Sequence, residues 1–134
     1  MSEIAMRDLS RSRHVLGGAH IEGLPEIASV REIVRTRIRA EVAAYNAEPG
    51  PMFTGMVQPS DSVRHSAGYR MRAPRPLDAD RSIAAVEEAV AAEMLAFHLG
   101  DRPIGFDDDV EVAAHEQIVA VFERPVVVAA PDPA

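Results

Sequence analysis

The chain has 134 residues, of which 47% are hydrophobic and 26% charged, and its net charge is −7. That is enough for one domain to bury roughly two thirds of its unfolded surface without a disulfide or a structural metal. Cysteine is absent and all fourteen basic residues are arginine, which excludes a disulfide framework, thiolate metal and iron–sulfur centres, a thiol nucleophile, and lysine Schiff-base or P-loop chemistry.

The opening residues Met1 to Asp8 lack the apolar stretch of a secretory signal. No run of apolar side chains is longer than the five of Val126 to Ala130, far short of the roughly 20 that a spanning helix needs. The chain is therefore expected in the cytoplasm, with no membrane partner. His14 to Ile21 places short apolar pairs around Gly17-Gly18, which predicts a β-hairpin turning at the two glycines. Ser29-Val30-Arg31-Glu32 fits a capping box, and Val30, Ile33, Val34, Ile38, Val42 and Tyr45 follow at three- and four-residue spacing, predicting a helix over 29–46. Residues 46–80 are rich in proline with only small apolar islands, and read as a long inserted loop holding one or two short strands.

Asp80 is expected to cap a second helix with Ile83, Val86, Val90, Met94 and Phe97 on its apolar face. The alternation Leu95, Phe97, Leu99 before Gly100-Asp101 competes with the end of that helix and predicts a strand entering a turn. Ile104 to Val112 is rich in turn signals, Gln117 to Phe122 reads as a closing strand, and no internal repeat is visible. The sum is a single domain over 1–134 of the α+β class, with the two helices covering one face of a mixed sheet.

From Leu95 the chain reads Leu-Ala-Phe-His-Leu-Gly-Asp-Arg-Pro-Ile-Gly-Phe-Asp-Asp-Asp-Val-Glu-Val, and then, past Ala113-Ala114-His115, Glu-Gln-Ile-Val-Ala-Val-Phe-Glu-Arg-Pro-Val-Val-Val. This resembles the closing half of β-grasp proteins, the ubiquitin-like sulfur carriers among them, with 14–45 in the place of the fold's first hairpin and helix. The resemblance implies a β-grasp-like two-layer fold. Carriers and modifiers of that family end in Gly-Gly, where this chain has Ala129-Ala130 and then Pro131-Asp132-Pro133-Ala134, so it implies the fold more than the carrier chemistry.

Three or four ligands must converge to hold a structural or catalytic zinc. In a hairpin turning at Gly17-Gly18, His14 and His20 would project from opposite faces. His115-Glu116 lacks the second histidine of a zincin helix, where Val119 stands. Asp107-Asp108-Asp109 lacks the alternate spacing of a calcium loop. Ser60, Ser62 and Ser66 near Asp61 and His65 lie in no Gly-x-Ser-x-Gly elbow, and a Gly-rich nucleotide loop is missing. No catalytic, cofactor-binding or metal-ligating residue is assigned, and a non-catalytic role is expected.

Charge is what remains. Residues 1–81 hold twelve arginines against ten acids, a balance of +2, and residues 82–134 hold two against eleven, a balance of −9. Arg31, Arg35 and Arg39 make a basic ridge on the first helix, and Arg64, Tyr69, Arg70, Arg72 and Arg75 a basic, acid-free stretch in the inserted loop. These eight residues are the expected partner-binding set, for another protein or a second copy of this chain, since complementary potentials steer encounter. Two alternatives stay open: a ubiquitin-like modifier or sulfur carrier, and phosphate or nucleic-acid binding through 64–75, where arginine forks would hold phosphates and Tyr69 would stack on a base.

Overall fold

A computed structural model describes residues 2–66, 68–114 and 116–129. Ser2–Ser10 (β1) and Val15–Leu24 (β2) form an antiparallel hairpin. Its turn lies at 11–14, closed by the Ser10 N–H donating to the His14 carbonyl at 2.9 Å, with Arg13 at a φ of 70°. The expected turn at Gly17-Gly18 is thus corrected, because both glycines lie inside β2, opposite Asp8 and Arg7. Gly18 serves close approach instead: a Cβ there would stand 2.6 Å from the Met6 carbonyl oxygen.

Ile27–Ser29 (β3) leads into the helix Val30–Ala47 (α1), and Ser29 caps it by accepting from the Glu32 N–H at 3.1 Å. Ile33, Val34, Ile38 and Val42 are buried, as their spacing predicts. The inserted segment is more ordered than a loop. Met52–Phe53 (β4), Ser62–His65 (β5) and Gly68–Met71 (β6) pair antiparallel in the order β4-β6-β5. Tyr45, Phe53, Tyr69 and Met71 form its own small core, with the Tyr45 and Phe53 rings edge to face at 5.6 Å.

The second helix, Ala79–Ala91 (α2), is capped by Asp78 rather than Asp80. The Asp78 carboxylate accepts from the N–H groups of Asp80 and Arg81 at 2.9 and 3.4 Å, which places Asp80 in the first turn. The contested residues belong to a strand, Leu95–Leu99 (β7), whose alternation buries Leu95, Phe97 and Leu99 together. Arg102–Ile104 (β8), Asp109–Glu111 (β9), a 3-10 turn at Val112–Ala114 and Ile118–Phe122 (β10) complete the described chain.

The main sheet runs β2-β1-β10-β7-β8, with β1 and β10 parallel and its other neighbours antiparallel, while β3 pairs with β9 beside it. Ile4, Met6, Ile118, Ala120, Phe122, Leu95, Phe97 and Leu99 alternate onto one face and share a single core with Ile33, Val34, Ile38, Ile83 and Val86. Both helices therefore cover the same face. The fold is a two-layer α+β domain, and residues such as Ala5, Arg7, His20 and Val119 point to the other side of the sheet.

Candidate functional site

One charge inside α1 organises its surroundings. Arg37 lies four residues after Ile33, three after Val34 and four before Glu41, so it falls within the apolar stripe and is 2% exposed. Its Nη1 and Nη2 donate to the two carboxylate oxygens of Asp8, at 2.7 and 2.6 Å, and its Nε donates to Glu41 at 3.1 Å. The second Glu41 oxygen accepts from the Met56 N–H at 3.1 Å, which ties α1 to the inserted segment. Burial alone would lower the Arg37 pKa, but the bonds and charges of Asp8 and Glu41 outweigh it and the net shift is upward. Burial pushes the Glu41 carboxyl above its ordinary value against the pull of Arg37. One guanidinium thus faces two carboxyl groups in the cluster.

Above this cluster, between α1 and β2, opens a cleft of about 580 Å³ lined by Ala19, Ile21, Ala40, Ala44 and Tyr45, with Glu22, Glu41 and Glu48 around it. Arg37 is the one arginine lining it, and its donors are committed to Asp8 and Glu41. The cleft therefore favours a positive ligand. β2 is an edge strand that pairs only with β1 among the described residues, and along its length Arg64 donates to the Leu16 carbonyl. Unpaired strand edges are templates for an added strand.

The eight arginine and tyrosine positions expected to bind a partner are scattered. Arg31 bonds Asp107 at 2.6 Å and pairs with Glu87, and its guanidinium stands 4.5 Å from the centre of the Phe106 ring. Arg35 reaches Glu87 at 3.5 Å, whereas Arg39 is exposed. These contacts hold α1 to α2 and to the loop before β9. Arg64 lies over Tyr69, which is only 6% exposed and belongs to the small core. Cross-strand pairing puts Arg64 opposite Tyr69 and Arg70 opposite Val63, so Arg64 and Arg70 point to opposite faces of the β5–β6 hairpin. Arg72 is exposed and meets Asp61 at 3.4 Å, and Arg75 donates to the Ser60 carbonyl and hydroxyl at 2.9 and 2.8 Å.

The other candidates are also engaged locally. Ser62 donates its hydroxyl to the Pro59 carbonyl at 2.6 Å. Asp108 accepts from the Gly105 N–H at 2.7 Å, closing the turn before β9. His14 sits in the first turn, 3.2 Å from the Ser12 hydroxyl. His115 and the tail from Ala130 lie outside the described residues.

The buried Arg37 has a signal in the sequence, namely a charge inside an apolar helical stripe with an acid four residues on. Its second acid, Asp8, has none, because it arrives from a strand 29 residues away. The fold and site define an α+β domain with a glutamate-rimmed cleft beside an edge strand. The chain matches no family model, no curated protein and no solved structure. No described helix is long and apolar enough to cross a membrane.

Proposed function

We propose that this chain is a non-catalytic protein-interaction component of β-grasp-like architecture, and that it seats an extended basic segment of another protein along β2, over the cleft against α1. The observation that carries this reading is the coincidence of an edge strand, paired on one side alone among the described strands, with a cleft whose one lining arginine is already paired. A segment added to β2 gains main-chain hydrogen bonds from the edge and side-chain selectivity from the cleft. Glu22 and Glu48 would favour arginine or lysine in that segment, and the apolar floor would take an alternate apolar side chain.

The topology supports the β-grasp part of the reading: an opening hairpin, a helix crossing the sheet, and a closing strand laid parallel to the first. The carrier alternative has less support. The segment after β10 is tied to the body, since Gln58 donates to the Val126 carbonyl at 2.8 Å, Val128 donates to the Gln58 carbonyl at 3.0 Å, and Arg81 donates to the Ala129 carbonyl at 3.2 Å. Nucleic-acid stacking also has less support, because the ring meant for it is buried.

The test is selection of displayed linear peptides on the full chain, followed by mapping the best synthetic peptide through amide NMR shifts. The expected result is peptides alternating apolar and basic residues, with shifts confined to 15–24 and 36–48. Shifts centred on 62–75 would overturn the reading.

A further inference from the structure

We propose that Glu3, His20 and Glu22 form a site for a divalent transition-metal ion, with zinc as the ion that suits it, on the outer face of the β1–β2 hairpin. The site follows from strand register. Ala5 stands opposite His20, so Glu3, two residues back on β1, and Glu22, two residues on along β2, share the His20 side of the sheet. Between Ser2 and Ile4 the register is irregular: two steps on β1 face three on β2, from Ile21 to Leu24. That extra residue is a bulge at Gly23, whose φ of 75° is costly for any residue with a Cβ. The Ile4–Ile21 register, carried one step further, already sets Glu3 opposite Glu22, and the shift shows only beyond them, where Ser2 faces Leu24.

The donor geometry is close to what an ion requires. His20 Nε2 is 3.1 Å from a Glu3 carboxylate oxygen, and one donor atom from each of the three residues lies within 4.8 Å of the others. Zinc at bond lengths of about 2.0–2.1 Å holds tetrahedral donors about 3.4 Å apart, so small rotations of exposed side chains close the set. Imidazole nitrogen and carboxylate oxygen are both ordinary zinc ligands, and two carboxylates with a neutral imidazole balance the charge of the ion. The fourth position is left to water. Arg7, on the same face, stands opposite Gly18, two residues further along each strand. Converging histidines are not required here: the cluster uses one histidine, which the β1–β2 register sets beside two carboxylates.

The competing explanation is a surface contact of His20 with Glu3 that binds no ion. Calorimetric titration of the tag-free, chelator-treated full chain with zinc chloride separates the two, at a pH of about 7.5, where an ordinary imidazole is neutral. The proposal expects one zinc per chain, a loss of tenfold or more in affinity in His20→Ala and in Glu22→Gln, and no change in His14→Ala. All these residues are exposed, so circular dichroism should match in every variant. Histidine ring NMR of the unmodified protein provides a second reading, with zinc shifting the His20 signals first. A wild-type dissociation constant weaker than about 1 mM, equal binding by His20→Ala, or zinc shifts on another histidine would overturn the proposal.

Discussion

The arginine beneath the β2–α1 cleft and the arginines of the β5–β6 hairpin differ in almost every physical respect. Arg37 is 2% exposed and held by two carboxylates, one of them bidentate. Arg72 has an 80% exposed side chain and a single long contact to Asp61, and Arg70 is exposed on the face opposite Arg64. The hairpin gathers positive charge along the sequence yet splits it in space, because successive strand residues face opposite ways. The helix does the reverse, drawing one member of a basic run inward because its position falls on the apolar stripe. Charge density along a chain is thus a poor guide to charge density on a surface, and the better-defined electrostatic feature here is negative.

The sharpest way to break this comparison is to remove the arginine on each side. Arg37→Met leaves Asp8 and Glu41 buried without their cation, and loss of one partner of a buried pair costs about 3–5 kcal/mol. Urea unfolding should show that loss, whereas Arg72→Ala should leave the unfolding midpoint nearly unchanged. Equal midpoints for the two variants would mean that Arg37 does not compensate the buried Asp8 and Glu41 carboxyl groups.

A smaller effect separates Glu41 from ordinary carboxylates. Its folded pKa is raised, chiefly by burial, so the folded protein holds that proton more tightly than the unfolded chain does. The contribution of Glu41 is therefore most favourable below its ordinary carboxylate pKa and declines as pH rises through the folded value. Wild-type stability minus that of Glu41→Gln should fall as pH climbs through that window, measured by thermal unfolding at matched salt. A difference that is flat or rises with pH would contradict the burial of this group.

The helices and the strands at 95–99 and 118–122 were legible because each writes its period plainly, as Ile33-Val34-Ile38-Val42 and Leu95-Phe97-Leu99 do. Gly17-Gly18 is a turn signal by local preference, and only the neighbouring strand reveals that Gly18 lets the Met6 carbonyl approach. Asp80 looked like a cap because it precedes the apolar stripe, but Asp78 reaches the free N–H groups first. The inserted segment holds three strands where the sequence suggests one or two and does not place them, since at two to four residues each they are too short for alternation to register. The cleft was beyond sequence reasoning, since it exists only where β2 is an edge and α1 lies beside it.

A paired charge reversal decides whether partners meet the acidic cleft or the arginine hairpin. Binding of the selected basic peptide would be measured for the double variants Glu22→Arg with Glu48→Arg, and Arg70→Glu with Arg72→Glu, at salt from roughly 0.05 to 0.5 M, over which the screening length falls severalfold. The glutamate reversal should weaken binding tenfold or more at low salt and flatten its salt dependence, while the arginine reversal should change neither. Loss of binding in the arginine variant with the glutamate variant unaffected would contradict that expectation.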